Sequence, residues 1–391
     1  MPPGDSGKAL LRILVRSPNW LGDAVMSFPA VEALQRAFPR ARIDALAPQN
    51  LAVLWEQHPA VASVVKLDPK ASPWKTGQAL RSRGYDLGIL FPNSFRSALE
   101  LWWARAPMRV GYAGQWRRTL LTHPVERGPD WFPTRPLSEK QAAELVQNAK
   151  SPNRRAKPPS GAHHVFQYLR LAAALGADVK PAPPRLTLSE GQVRAALRKL
   201  NLPLEPEPPW VALHPGAAYG EAKQWFPDRF LETAALVHKQ RPCRWLIIGG
   251  EEERSLTRWL STKLAQTLAS RPSRPGAVAV HEPVIHLGGK TSLMELAAAL
   301  SQCRLFLGND SGPMHLAAAL GVPVAAVFGS TSATISGPGL PGDPRHRAIE
   351  GAAPCAPCFR KTCPIDHICM RAVEPAQVAA AALDLLAESK R

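Results

Sequence analysis

The feature that most constrains this chain is an alternation of short apolar runs with helical periods, written once in each half. In the first half the runs are Leu11 to Val15, Arg42 to Ala47, Ala62 to Leu67, Asp86 to Phe91 and Arg109 to Tyr112. Helical patterns follow the first four, over 24–38, 51–57, 74–83 and 94–105, and another returns over 163–175. In the second half Trp210–Leu213, Trp245–Ile248, Val284–Leu287, Arg304–Leu307 and Pro323–Phe328 alternate with helical patterns, and Pro375–Ala387 ends the chain as an alanine-rich helix. Strands separated by helices predict parallel sheets covered on both faces, an α/β class. At 391 residues the chain exceeds one typical core. Pro181-Ala182-Pro183-Pro184 reads as a linker. The expected division is therefore two Rossmann-like domains, 1–183 and 184–374, with parallel sheets facing a central cleft, and a final helix over 375–391.

Within that plan the stretch Arg304 to Gly329 is the most informative. A short strand leads into the turn Gly308-Asn309-Asp310-Ser311-Gly312, and Pro313 suits the first turn of the following helix. Asp310 or Ser311 can cap that helix. Its opening offers backbone N–H groups and a partial positive charge, an anion site. His315 lies in the first turn and either joins that anion or packs. Lys223 falls on the same ligand-facing edge. In the first half, Gly22 and Asp23 sit at the carboxyl end of the first strand, where open α/β sheets bind ligands. Asp23 either caps its helix or serves chemistry. No G-x-G-x-x-G follows the first strand of either half, which argues against a nicotinamide dehydrogenase, and no P-loop signature is present.

Charge is uneven. Residues 1–185 carry 26 Lys+Arg against 13 Asp+Glu, whereas 186–391 carry 22 against 18. The first half is thus the one expected to attract an anionic partner. From 117 to 160 the sequence is irregular and basic, with Arg117, Arg118, Arg127, Arg135, Lys140, Lys150, Arg154, Arg155 and Lys157, and reads as a mobile insertion. Phe95, Leu99, Trp102 and Trp103 form a helical stripe, assigned to packing on the sheet rather than to a membrane because the helix lies inside the alternation. No apolar run approaches a bilayer span and no signal peptide is legible, so a cytoplasmic location is expected. Cys243 and Cys303 read as buried thiols. Cys355, Cys358, Cys363 and Cys369 fall in one loop, 355–369, and suggest a structural metal site, zinc first, with His367 as a substitute ligand; four unligated thiols are the alternative.

At this point the chain resembles glycosyltransferase family nine, the lipopolysaccharide heptosyltransferases. The resemblance rests on ILVRSPNWLGDAVMSFPAVEALQRAFP, HPGAAYGEAKQWFPDRF and GNDSGPMHLAAALGVPVAAVFGST, and extends over nearly the whole chain. The RSPNWLGDAVMS opening, the HHVFQYLRL helix and CAPCFRKTCPIDHICM look most like the heptosyltransferase II branch. The resemblance implies a GT-B fold and an inverting transfer of L-glycero-D-manno-heptose from ADP-L-glycero-D-manno-heptose to the phosphorylated heptose–Kdo–lipid A inner core. The N-terminal domain would bind acceptor, the C-terminal domain donor, and the terminal helix would pack back on the N-terminal domain. Asp23 takes the position of the general base. Lys223, Ser311, Gly312 and His315 would stabilise the leaving diphosphate, Asp310 would cap and orient the loop, Glu252 (with Glu251 as rival) would accept from ribose or adenine, and Thr291 would line the nucleotide pocket. Asn19, Trp20, Arg117 and Arg118 are the acceptor-side candidates. Some relatives carry hydroxyl residues where Ala217 and Ala218 stand, so here only backbone N–H groups serve. No cofactor is required for this chemistry. The enzyme would sit peripherally on the cytoplasmic face of the inner membrane, with no nucleic-acid partner.

Heptosyltransferases of specificity I or III are the nearest alternatives. A basic nucleic-acid-binding protein is more remote, because no binding module or aromatic–basic interleaving is visible. A nucleotide-sugar epimerase on a similar scaffold is the third, and product analysis without acceptor separates it.

Overall fold

A computed structural model describes residues 10–114, 116–148, 156–204, 207–269 and 282–388. The chain divides into two compact units. The N-terminal unit comprises residues up to Trp131 together with Gly161–Thr187; the C-terminal unit comprises Phe132–Ser160 and everything from Leu188 on.

The N-terminal unit holds β1 (Arg12–Arg16), β2 (Arg42–Pro48), β3 (Ser63–Leu67), β4 (Leu87–Leu90), β5 (Met108–Tyr112) and β6 (His123–Val125). All pair in parallel, in the order β3-β2-β1-β4-β5-β6. Helices α1 (Leu21–Met26), α2 (Phe28–Ala37), α3 (Gln49–Glu56), α4 (Pro73–Arg81) and α5 (Phe95–Trp103) connect them. α6 (Glu139–Gln147) belongs to the other unit, and α7 (His164–Ala173) returns to this one, packing on α2 and α1. Strands such as β1 and β4 are buried at nearly every position, as expected of parallel strands covered on both faces.

The C-terminal unit repeats the plan with β7 (Trp210–His214), β8 (Arg244–Ile247), β9 (Val284–His286), β10 (Cys303–Asn309), β11 (Val324–Phe328) and β12 (His346–Glu350), in the order β12-β11-β10-β7-β8-β9. Its helices are α8 (Glu190–Lys199), α9 (Pro227–Gln240), α10 (Arg254–Ala269), α11 (Leu293–Ser301), α12 (Gly312–Ala319), α13 (Ala333–Ser336), α14 (Ile368–Arg371) and α15 (Pro375–Glu388). Serine capping boxes start α8 and α11, each closed by a residue three positions on, Gln192 and Glu295. Each sheet therefore reverses direction beside its first strand, between β1 and β4 and between β7 and β10. Loops at the carboxyl ends of those strands diverge and leave a crevice.

Three expectations need correction. The final helix, expected on the N-terminal domain, packs into the C-terminal core: Val378, Ala379, Ala382, Leu385 and Leu386 of α15 are buried with Phe230 of α9 and with strand residues from β7, β10 and β11. Its apolar face is consumed there. The stretch 117–160 is not uniformly irregular. It contains β6, an edge strand that tolerates Pro124, and α6, started by a capping box between Ser138 and Gln141. Lys150, Arg154 and Arg155 lie outside the described residues. Finally, the stripe Phe95, Trp102 and Trp103 faces solvent, while Ser97, Ala98, Glu100 and Leu101 form the buried face of α5.

Candidate active site

In the N-terminal unit β1 delivers the chain to its crevice. Arg16 is buried and bonds Glu100 at 2.7 Å, while its second nitrogen meets the Ser17 carbonyl at 2.5 Å. Trp55 donates its indole N–H to the Ser17 hydroxyl at 2.8 Å. These bonds fix the turn that precedes α1, leaving Asn19 and Trp20 exposed.

Asp23 lies in the first turn of α1, whose N-cap is Trp20 without a side-chain cap. The carboxylate is directed at α7 instead. Tyr168 donates its hydroxyl to Asp23 Oδ1 at 3.0 Å, and His164 Nδ1 stands 3.2 Å from the same oxygen. The two side chains of the ion pair remain partly open, 27% for Asp23 and 29% for His164. Burial, and then the Asp23 charge, push the Tyr168 phenol far above its ordinary range, so it stays a donor. Tyr168 is itself set by an edge contact with Phe91 at 5.2 Å. A half-exposed carboxylate held by a neutral hydroxyl and an imidazole, at a sheet switch point, can accept a proton from a hydroxyl brought to it.

In the C-terminal unit the loops after β7 and β10 meet. Lys223 Nζ lies 2.6 Å from Asp310 Oδ2, to which Thr331 also donates at 2.6 Å. The ammonium sits 5.2 Å from the Tyr219 ring centre. Asn309 fastens the two loops: its amide donates to the Pro215 carbonyl at 2.8 Å and its carbonyl accepts from Trp225 N–H at 3.0 Å. Ser311 is the extended N-cap of α12, but its hydroxyl does not cap the helix; it meets His214 Nδ1 at 3.1 Å. The other ring nitrogen of His214 meets Glu253 Oε2, also at 3.1 Å. Burial raises the Glu253 pKa, but the His214 contact and the Gly250 N–H outweigh it, and the carboxyl is held below its usual range. Gly216 lets this carboxylate approach, since a Cβ there would lie 1.8 Å from Glu253 Oε1. A lysine, the start of an eight-residue helix and a serine hydroxyl thus share one edge, the chemistry of a phosphate cradle.

The pattern defining glycosyltransferase family 9 (heptosyltransferase) matches residues 73–130 and 137–369. The chain belongs to glycosyltransferase family 9. It is 28% identical over 341 residues to lipopolysaccharide heptosyltransferase 2 of Escherichia coli K12, covering 84% of this chain and 85% of that one. It is 25% identical over 393 residues to lipooligosaccharide heptosyltransferase 2 of Campylobacter jejuni serotype O:2, covering 97% and 99%. Its backbone matches the structure of E. coli ADP-heptose lps heptosyltransferase II with a TM-score of 0.70 at 25% identity, over 97% of this chain and 100% of that one.

In this family 9 glycosyltransferase the sequence-expected residues fall unevenly. Lys223, Asp310, Ser311, Gly312 and His315 come together around α12, with His315 buried in the first turn. Asp310 does not cap the helix; it holds the lysine. Thr291 is half-buried just before the α11 cap. Glu252 is exposed and Glu251 pairs with Arg254 at 2.8 Å, so Glu253 is the acidic residue that joins the His214 network. Arg117 is not offered to a ligand. It is 1% exposed, donates to the carbonyls of Tyr112 and Pro92 and to Asn93 Oδ1, and burial lowers its pKa to about 10. Arg118 pairs with Glu126 at the surface. His164, Tyr168, His214 and Glu253 are additions. Only the histidine–histidine–tyrosine spacing of HHVFQYLRL hinted at the first two.

The four cysteines of the transferase border one small cavity with His367. Burial and the neighbouring thiols push Cys369 up to about 12, and His367 donates its backbone N–H to Cys363 Sγ at 3.3 Å. Yet among the described residues no three His, Cys, Asp or Glu side chains form a set able to hold a metal ion. The zinc expectation thus finds no ligand set among the described residues.

Proposed function

We propose that this glycosyltransferase is a lipopolysaccharide heptosyltransferase of the second type, moving L-glycero-D-manno-heptose from its ADP-sugar to the heptose–Kdo–lipid A acceptor with inversion. Likeness to heptosyltransferases 2 over most of both chains supports this reading. The observation that carries it is the Asp23 carboxylate, buttressed by Tyr168 and His164 at the first sheet's switch point. Asp23 takes the proton of the attacking hydroxyl as the new C–O bond forms at the anomeric carbon. The bond to the diphosphate breaks, and its electron pair leaves on ADP. Lys223 has three N–H donors, so it can keep Asp310 and still reach a phosphate. The N–H groups of Ser311 and Gly312 and the ring of His315 complete the cradle. Glu252 and Thr291 serve the nucleoside, and Asn19, Trp20 and Arg118 the acceptor. The lipid-borne acceptor puts the reaction on the cytoplasmic face of the inner membrane; among the described residues no helix is long and apolar enough to cross it.

Asp23→Asn tests the assignment. Release of ADP in the presence of both substrates should fall by about a hundred- to ten-thousand-fold while ADP affinity holds. Undiminished turnover would remove Asp23 from the reaction. A type I acceptor preference is the second reading, favoured by 26% identity over 367 residues to lipopolysaccharide heptosyltransferase 1 of Pseudomonas aeruginosa. Supplying acceptors with and without the first heptose separates the two.

A further inference from the structure

Eight large hydrophobic side chains are exposed among the described residues, and four of them stand on two neighbouring helices of the N-terminal unit. They are Trp74 on α4 (45% exposed) and Phe95, Trp102 and Trp103 on α5 (43%, 42% and 37%). The helices pack against each other closely. A Cβ on Gly77 would lie 2.2 Å from Trp103 Cβ and 2.8 Å from the Glu100 carbonyl oxygen. With the opposite side of α5 committed to the core, the outer part of the aromatic stripe faces solvent. Trp102 and Trp103 meet edge to face at 4.8 Å.

The charges on these helices are one-sided. Lys75 and Arg81 are exposed; Arg96 is exposed but donates to the Ala71 carbonyl and lies 3.5 Å from Glu100, the one acid, which is fully buried between Arg96 and Arg16. The flanking turns add exposed Lys70, Arg83 and Arg105 against Asp68 and Asp86. Tryptophans ringed by basic side chains match the headgroup region of a bilayer, where the indole is half-buried and cations meet lipid phosphate. A second copy is a poor occupant, because a two-fold contact would set Lys75, Arg81 and Arg96 against themselves.

We propose that the α4–α5 face docks the enzyme on an anionic lipid bilayer, with Trp74, Trp102 and Trp103 seated among the headgroups and Lys75 and Arg81 on lipid phosphates. This deepens the membrane-borne acceptor of the proposed function and rests on it for its purpose; vesicle binding is a separate readout. The full chain is sedimented with phosphatidylcholine vesicles, with and without about 30% phosphatidylglycerol. Partitioning should be at least about ten-fold stronger on the anionic vesicles and should collapse near 0.5 M salt, where screening is about 4 Å. Trp102→Ser/Trp103→Ser and Lys75→Glu/Arg81→Glu should each lose about ten-fold in binding, yet keep the parent's melting temperature and its turnover on a water-soluble, deacylated acceptor. Should the tryptophan pair fail to fold, the charge-reversal pair decides alone. Equal vesicle binding by parent and folded variants overturns the proposal, as does a parent dimer that the variants lose while vesicle binding is absent. Loss of transfer by the parent on soluble acceptor would count against the proposed function, leaving the vesicle result to judge the surface.

Discussion

Tyr168 supplies the cleanest residue-level test of how Asp23 is held. Its hydroxyl donates to the charged form of the carboxylate, and such a bond favours ionisation. A hydrogen bond to a charged group is worth about 1.5–3 kcal/mol, so Tyr168→Phe should lower kcat/KM by about ten- to a hundred-fold. ADP affinity should stay constant. Unchanged kcat/KM would reduce Tyr168 to packing. Beyond the spacing in HHVFQYLRL, local sequence does not show that Tyr168 meets Asp23, because α7 packing on α1 brings positions 23 and 168 together. Asp23 itself was legible from its place after the first strand. Arg117 shows the opposite error: a cation in a basic run reads as available, whereas three carbonyl oxygens have already engaged it.

At the scale of elements, apolar periodicity reported most strands and helices, because buried parallel strands are continuous apolar runs. It could not say which unit a helix would join. α15 reads in sequence as a terminal helix, and the resemblance would pack it back on the N-terminal domain, yet Leu385 lies 1% exposed in the C-terminal core. Leu385→Ala should destabilise the C-terminal unit by about 2–5 kcal/mol, visible as a lower denaturant midpoint for that unit alone. An unchanged midpoint would mean α15 detaches at little cost. The α5 stripe was misread for a related reason. Helical spacing identifies a face but not its direction, and here small residues and a buried ion pair occupy the inner face while the tryptophans take the outer. The edge strand β6 was hidden by Pro124 and the shortness of the run.

For the whole molecule, acid is the expected weakness, and each unit carries its own sensor. His58, wedged edge-on against Phe28 with ring centres 4.6 Å apart, is held by burial at about 4, against a partly opposing hydrogen bond at Phe28. His346 is lowered to about 4 by burial, opposed by Asp343 and reinforced by Arg345, His315 and Arg347. A depressed histidine means the unfolded chain binds the proton first. Stability is thus complete above pH 6.5, the ordinary value, and is lost as pH falls toward 4. Each ring should cost its unit about 3 kcal/mol over that window. Calorimetry from pH 7 to 4 should show both transitions falling, and His346→Gln should flatten the C-terminal one. A pH-independent transition in the parent would contradict the burial argument.

The Lys223–Asp310 contact has a bearing on how the donor is received. A lysine side chain left loose surrenders about 2 kcal/mol of rotational freedom when a ligand pins it. Here the tether to a buried carboxylate removes most of that freedom while the polypeptide is still acquiring its shape. In the proposed donor role, an arriving nucleotide would meet a hand already extended, and its grip need not be weakened by the cost of steadying it.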